Sequence, residues 1–208
     1  MSIIHIEDGI ISTAKQLPSP NHNDRPDDTC IRAIVIHNIS LPPDEFSQTD
    51  ANGLHHVKAL FTNQLHWESH PYFKSIKGIQ VSAHVFIERD GMMTQFVNLD
   101  KRAWHAGHSA YLGQAQCNDF SIGIELEGSD YQPFTPKQYD VLAQLIVAIY
   151  DSYPATRRHL TGHSDIAPNR KTDPGRHFDW GRLRQQVAKR LAAQTSDKQP
   201  NETKSHRS

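Results

Sequence analysis

The sequence predicts an α/β fold: a single domain with a central mixed β-sheet flanked by helices. Three observations predict it. The β-branched run RAIVIHNIS at 32–40 is typical of a buried strand, and the alternating segment SIGIELEG at 121–128 indicates a second one. A strong helical period of apolar residues follows at 136–153. Strands and helices mixed along one chain pack as layers around a shared core.

Length and charge limit the possible classes of protein. The 208 residues suit one domain, which we place at 1–194, followed by a disordered polar tail at 195–208 that has little to bury. A net charge of −1 provides no basic field, so we expect no nucleic-acid partner. The only two cysteines, Cys30 and Cys117, form no disulfide framework and fit a reducing compartment.

The amino terminus, MSIIHIEDGIISTAKQ, lacks the basic segment and apolar core of a signal peptide. No apolar run approaches the length that crosses a bilayer, so we expect no membrane partner. These features together predict a cytoplasmic location.

The other elements follow in chain order. A short helix is expected near 53–65, and a hairpin at 81–100 turns at the sequence Arg-Asp-Gly. The 136–153 helix has Thr135 as a cap, a proline at its first position and Gln138 for a capping box, and Pro154 ends it. A last helix carries one apolar stripe, formed by Trp180, Leu183, Val187 and Leu191.

The stretch TGHSDIAPNRKTDPG at 161–175 concentrates chemically active side chains. Its two prolines and terminal glycine predict a stiff loop that forms neither helix nor strand. The loop carries His163, Lys171 and Asp173, while His37 lies near the end of the first buried strand. Two imidazoles and one carboxylate are a common catalytic zinc set, with a fourth position left for water.

A zinc hydrolase also needs a base for the water and a positive group for the developing oxyanion. Glu125, on the acidic face of the 121–128 strand, and Lys171 have those properties. Each residue also has an ordinary explanation. His37 fits a hydrogen-bonded core histidine, His163 and Asp173 fit a pair without metal, and Glu125 with Glu127 fits a solvated strand face.

The remaining histidines give weaker indications of a functional site. Four of them have no accompanying carboxylate pattern and are expected at the surface: His55, His56, His66 and His70. His84 fits a buried, hydrogen-bonded histidine, and His105 fits a residue that lines the cleft or orients a neighbour. Cys117 lacks a paired base, which argues against a thiol nucleophile.

Five motifs occur in order between Leu17 and Trp180: VIHNIS, VSAHVFIERDG, KRAWHAGHS, CNDFSIGIELEG and GHSDIAPNRKTDPG. Together they resemble the zinc-dependent N-acetylmuramoyl-L-alanine amidase family. The resemblance is closest to its cytoplasmic branch, which acts on 1,6-anhydro-muropeptides during cell-wall recycling. It implies a small muropeptide substrate, a Zn²⁺ cofactor and hydrolysis of the amide between the muramic lactyl group and L-alanine.

The resemblance also implies roles for individual residues. It makes His37, His163 and Asp173 the zinc ligands. Glu125 becomes the general base, with Glu127 a weaker candidate, and Lys171 stabilises the transition state. Three further positions resemble substrate contacts of the family: Asn38, Trp104 and Arg170.

Two other classes of protein are built on the same fold. A peptidoglycan-recognition module binds muropeptides without cutting them and typically lacks a zinc ligand, whereas all three ligand positions are filled here. A phage-type endolysin shares the fold. The aspartate ligand, the IELEG strand and the lack of an export or wall-binding segment favour the recycling amidase.

Overall fold

The structure, a computed structural model, describes residues 3–197. Its strands are β1 (Ile6–Glu7), β2 (Ile10–Ile11), β3 (Lys15–Gln16), β4 (His22–Asn23), β5 (Ala33–Ile39), β6 (Val85–Ile87), β7 (Met93–Gln95), β8 (Arg102–Ala103), β9 (Ala110–Tyr111), β10 (Gln114–Ala115), β11 (Ser121–Glu127) and β12 (Leu160–Gly162). Its helices are α1 (His56–Phe61), α2 (Pro71–Ser75), α3 (Cys117–Phe120), α4 (Pro136–Ser152), α5 (His163–Ile166) and α6 (Trp180–Asp197). Two 3₁₀ turns lie at Trp67–Ser69 and Pro154–Arg158.

Six strands form one mixed sheet in the order β12-β5-β11-β6-β7-β3. The first four are parallel to one another, β7 runs antiparallel to β6, and β3 is parallel to β7. The predicted hairpin is the β6–β7 pair, although its strands are shorter than the predicted segment. The mixed α/β fold predicted from the sequence is therefore confirmed.

The two faces of the sheet have different neighbours. Alternate residues of β11, from Ile122 to Leu126, belong to the apolar core formed with α4 and α6. The opposite face carries Gly123, Glu125 and Glu127, yet every residue of β11 is buried. A solvated acidic face is therefore wrong, because the α1 and α2 region supplies a second apolar cluster on this side.

Helix α4 begins as its sequence predicts. Thr135 Oγ1 accepts from the Gln138 N–H at 3.1 Å, and Gln138 Oε1 accepts from the Thr135 N–H at 3.0 Å. Gln138 Nε2 also donates to the Glu127 carbonyl at 2.9 Å, which ties the start of the helix to the end of β11. The capping box thus fixes the register of α4 on the sheet.

Other predicted bounds shift slightly. The helix expected near 53–65 spans only the six residues of α1 and begins after His55. Helix α6 continues to Asp197, three residues past the predicted domain end, and 198–208 of the predicted tail lie outside the described residues. Within 3–197, no helix combines the length and apolar character that a bilayer crossing requires.

The prediction of a purely irregular loop at 161–175 is wrong. Its first residues complete β12, which pairs in parallel with β5, and a single helical turn, α5, follows directly. Asp165 Oδ2 accepts from the Gly162 N–H at 2.9 Å and so caps this turn. The prolines lie after these elements, where they interrupt nothing.

Candidate metal centre

The parallel strands bring three of the predicted site residues to one edge of the sheet. In the β5–β11 register Glu125 pairs with His37, and β12 ends at Gly162 opposite Ile36. His163 is therefore the first residue beyond β12. Ligand sites in open α/β sheets form at the carboxyl ends of the strands, and these residues occupy that edge.

Backbone hydrogen bonds within the loop bring Asp173 close to His163. The Ser164 N–H donates to the Asp173 carbonyl at 2.9 Å, and the Lys171 N–H donates to the Ala167 carbonyl at 3.1 Å. A Cβ on Gly162 would lie 2.8 Å from Pro174 Cδ, so glycine lets the returning segment pack against β12. The loop is thus held by its main chain as well as by its prolines.

Three ligand-type atoms meet in this place. His37 Nδ1 lies 2.9 Å from His163 Nδ1 and 3.1 Å from Asp173 Oδ2, and His163 Nδ1 lies 3.0 Å from Asp173 Oδ2. Tetrahedral zinc with bonds of about 2.0–2.1 Å separates its ligand atoms by about 3.3 Å. The triangle is slightly tighter than that, so the three residues fit one zinc ion after a small outward adjustment.

The imidazoles have the protonation that a metal requires. His163 Nε2 lies 3.2 Å from the Ala106 carbonyl, which can only accept, so in the neutral ring the proton is on Nε2 and Nδ1 has the lone pair. Burial lowers the pKa of His37 to about 4, so this ring is neutral.

Glu125 is a buried carboxyl beside this centre. Its side chain lies on the site face of β11, and its Oε2 atom has no hydrogen-bond partner. Burial and the nearby Asp173 carboxylate raise the pKa of Glu125 well above the ordinary value, while Lys171 opposes the shift. An unpartnered carboxyl with a raised pKa is suited to proton transfer near neutral pH.

A cavity of about 510 Å³ opens in front of the centre. His105, Glu125, His163 and Asp173 form its floor, and Lys171 is exposed at its rim. Its remaining wall has an apolar part, which includes Leu60, Phe61, Ile76 and Val81, and a polar part, which includes Asn38, Asp130 and Arg170. Such a mixed wall suits a ligand with both apolar and polar groups.

The three predicted substrate contacts differ in position. Asn38 lines the cavity and donates from Nδ2 to Asp130 Oδ1 at 2.7 Å. Arg170 also lines it, and its Nη2 donates to the Ala106 and His108 carbonyls at 2.7 Å each. Trp104 does not line the cavity; its indole N–H donates to Asn23 Oδ1 at 2.7 Å.

The sequence reasoning missed Asp130 and the two cavity tyrosines, Tyr72 and Tyr131. One signal for Asp130 lies in the printed sequence, because GSDY follows strand β11 directly. A second signal is Gly175, at a φ of +82°, whose added Cβ would lie 2.4 Å from Asp130 Cα. The loop and the end of the strand can approach this closely only with glycine there.

The prediction that His55 lies at the surface is wrong. His55 Nδ1 accepts from the Val57 N–H at 3.1 Å, so its Nε2 carries the proton and donates to Glu127 Oε1 at 2.9 Å. Glu127 also accepts from the main-chain N–H groups of Ser47 and Arg89. Burial disfavours its charge, but the hydrogen bonds from His55 and the main chain outweigh it and lower the pKa of Glu127.

The other histidines of that group do not form a second centre. His66 is exposed, His56 and His70 are partly exposed, and within residues 3–197 only the His37 triad brings metal-ligand atoms together. His84 is fully buried and accepts from the Gly123 N–H at 3.0 Å, as predicted. His105 lies under the centre, with its Nδ1 atom 3.0 Å from His37 Nε2.

Comparisons with known proteins show similarity to one enzyme family. The family model described as N-acetylmuramoyl-L-alanine amidase matches residues 26–176. The 1,6-anhydro-N-acetylmuramyl-L-alanine amidase AmpD of Escherichia coli K12 is 50% identical over 184 residues, covering 88% of this chain and 97% of that protein.

Two solved structures are similar in fold. The crystal structure of a selenomethionine AmpD derivative is 49% identical, with a TM-score of 0.83 over 88% of this chain and 98% of that one. The E. coli amidase AmiD in complex with anhydro-N-acetylmuramic acid-L-Ala-D-gamma-Glu-L-Lys is 26% identical. Its TM-score is 0.54 over 95% of this chain and 73% of that one.

Proposed function

This chain belongs to the N-acetylmuramoyl-L-alanine amidase family, and from that premise we infer that it cleaves the muramyl–alanine amide of cell-wall fragments. The bond cleaved joins the lactyl group of N-acetylmuramic acid to L-alanine. The substrate class is the 1,6-anhydro-muropeptide released in cell-wall recycling, as the names of relatives at about 50% identity indicate. The observation that carries this function is the triangle of ligand-type atoms formed by the buried His37 and His163 and the partly buried Asp173.

We propose Zn²⁺ as the ion held by His37, His163 and Asp173. When bound, zinc lowers the pKa of water to roughly 7 and polarises a carbonyl oxygen. The donor set supports zinc, since two imidazoles and a carboxylate leave a fourth position open to solvent and substrate. Two of the three proposed ligands, His163 and Asp173, line the cavity.

Glu125 is proposed to move the proton of the reaction. Its carboxylate accepts a proton from the attacking water and later delivers it to the alanine nitrogen as the carbon–nitrogen bond breaks. The raised pKa of Glu125 supports both steps. A carboxyl that titrates closer to neutrality gives up its proton less readily than an ordinary one, so it can keep the proton after the attack of water until the alanine nitrogen leaves. Water and amide become a lactyl carboxylic acid and a free amine, so the atoms balance.

Lys171 is proposed to stabilise the oxyanion that forms on the carbonyl oxygen. Its side chain is exposed at the cavity rim, and its charge acts on both Glu125 and His37. A positive group placed where negative charge develops typically contributes a few kcal/mol to the transition state. The ammonium also keeps part of the Glu125 population ionised, because it lowers the pKa of that carboxyl.

Asn38 and Arg170 are proposed as substrate contacts at the polar wall. Arg170 is fixed by two carbonyls, so its guanidinium is already oriented toward the cavity. Trp104 remains a weaker candidate, because it lies outside the cavity and is already bound to Asn23.

The cytoplasmic location stays a prediction, which the free thiols of Cys30 and Cys117 support. The single amidase domain at 1–194 is likewise a proposal, supported by the family match to residues 26–176.

A competition between two substrates tests the function. The zinc-loaded protein is incubated with 1,6-anhydro-N-acetylmuramyl-tripeptide and with intact peptidoglycan, and release of the free peptide is followed by mass spectrometry. We expect rapid cleavage of the anhydro substrate and slow cleavage of the intact wall. Binding of the anhydro substrate without release of peptide would indicate the recognition module, and preference for intact wall would indicate the endolysin class.

A further inference from the structure

The ring of His37 is held on the side opposite the metal centre. Its Nε2 atom lies 3.0 Å from Nδ1 of His105, and the two rings meet edge to face with centroids 5.0 Å apart. Both side chains are buried, and a hydrogen bond in a buried place is electrostatically stronger than one in water. A histidine that binds a metal through one nitrogen usually donates the proton of its other nitrogen to a fixed acceptor.

The direction of this hydrogen bond follows from a main-chain carbonyl further away. Ser121 Oγ donates its only proton to the Cys117 carbonyl at 2.5 Å, so it can only accept from its other neighbour. That neighbour is His105 Nε2, at 3.3 Å, which must therefore carry the ring proton. A neutral imidazole has one N–H, so His105 Nδ1 is left as an acceptor.

The tautomer of His105 in turn determines the tautomer of His37. Because His105 Nδ1 accepts, His37 Nε2 must donate, and His37 Nδ1 is left with a free lone pair. That lone pair is on the side of His163 and Asp173. The chain Cys117–Ser121–His105–His37 thus selects the tautomer that a metal requires.

Two further contacts fix the position of the His105 ring. The Asn118 side-chain oxygen accepts from the N–H groups of His105 and Ala106, at 3.1 and 2.8 Å. The ring lies directly against Gly123, where an added Cβ would come within 2.3 Å of the imidazole. Only glycine on the site face of β11 leaves room for this ring.

We propose that His105 is a positioning residue of the metal centre, which fixes the tautomer and orientation of His37 through a hydrogen-bond chain anchored at the Cys117 carbonyl. This deepens the proposed function and rests on it, since His37 is taken to be a metal ligand. Loss of such a partner typically weakens metal affinity 10- to 100-fold. His105 Nδ1 would supply the acceptor, and Ser121 would hold it in the accepting state.

The test compares two substitutions at one position. His105→Leu removes the acceptor, whereas His105→Asn places its side-chain oxygen about where Nδ1 lies. Zinc affinity of the purified full chain is measured by competition with a chromophoric chelator, and a thermal melt of the metal-free protein monitors folding. We expect a 10- to 100-fold weaker affinity in His105→Leu and near wild-type affinity in His105→Asn. His66→Leu, which removes an exposed imidazole, is the matched control.

Two results would overturn the proposal. One is unchanged zinc affinity in His105→Leu, and the other is an equal loss in the leucine and asparagine variants. If His105→Leu does not fold, Ser121→Ala decides by the same measurement, with weaker binding expected. Nitrogen NMR of the zinc-loaded wild type adds a direct readout, in which a His105 proton on Nδ1 would contradict the chain. Failure of the wild type to bind zinc would instead refute the proposed metal centre.

Discussion

His37 and His163 lie 126 positions apart in sequence, yet their Nδ1 atoms are 2.9 Å apart. The parallel pairing of β5 with β12 produces this proximity, because Ile36 pairs with Gly162 and each histidine is the next residue of its chain segment. Asp173 completes the triangle only ten residues after His163, through the main-chain bonds of the loop. The centre therefore depends on one strand pairing and one short loop.

Glu125→Gln tests the proton-transfer role. The amide keeps the shape of the side chain but cannot accept a proton, so we expect kcat to fall about 10²- to 10⁴-fold. Zinc content should stay unchanged, since Glu125 is not a proposed ligand. Steady-state kinetics on the anhydro substrate and metal analysis of the same sample give both values, and near wild-type turnover would exclude Glu125 as the base.

Lys171→Met removes the charge at the cavity rim. We expect kcat to fall about 10²- to 10³-fold, because the oxyanion loses a stabilising charge. The pH profile should also change. Glu125 must be ionised to act as a base, so kcat/KM falls as the pH drops through its pKa. Lys171 lowers that pKa, so its loss should move the acidic limb to higher pH.

The exposed Lys77 provides the control for this variant, as Lys77→Met removes a lysine charge paired only with the surface residue Glu68. Its kcat and pH profile should match those of the wild type. An acidic limb that stays in place, or moves to lower pH, in Lys171→Met would contradict the proposed electrostatic coupling.

Glu127→Ala separates stability from catalysis. The substitution leaves three donors without a partner, which are the buried imidazole of His55 and the partly buried main-chain N–H groups of Ser47 and Arg89. We expect a loss of about 3 kcal/mol in the free energy of unfolding, measured in urea. Much of the activity should remain at temperatures where the protein is folded, because Glu127 contacts none of the three proposed ligands.

Glu68→Ala is the matched surface control. Glu68 pairs with Lys74 in solvent, so its loss should change stability by less than about 1 kcal/mol. If Glu127→Ala abolished turnover while leaving stability intact, Glu127 would have to be placed among the catalytic groups.

Gly123→Ala tests the packing beneath the metal centre. The new methyl would overlap the His105 ring, so we expect about 1–3 kcal/mol of destabilisation together with weaker zinc binding.

Gly181→Ala is the control, because that glycine lies in helix α6 and its nearest neighbour atom is Asp179 Oδ1 at 3.3 Å. The control should be neutral or slightly stabilising, and the same behaviour in Gly123→Ala would show that the ring has room to move.

The sequence predicted the long elements well. Strands β5 and β11 and helix α4 carry strong local signals, which are β-branched runs, alternation and a capping box. The motifs also selected His37, His163 and Asp173, which the structure brings together. Local patterns decide such features, so a single sequence is enough to find them.

The sequence did not predict which residues cover a strand face, because these residues are distant from the strand in sequence. Alternation placed Glu127 on one face of β11 but gave no sign that the α1 region buries it against His55. Asp130 was missed for the same reason, since its part in the cavity comes from contacts with Asn38 and Gly175. Short elements such as β12 were hidden because three residues carry too little periodicity.

The most direct test of the metal centre is a crystal structure of the zinc-soaked protein, with anomalous diffraction recorded at the zinc edge. We predict one peak bonded to His37 Nδ1, His163 Nδ1 and Asp173 Oδ2 at about 2.0–2.2 Å. Asp173→Ala should lose both this peak and the activity, whereas Asp130→Asn, in the same cavity, should keep the peak. A zinc ion bound elsewhere, or full occupancy and turnover in Asp173→Ala, would contradict the account.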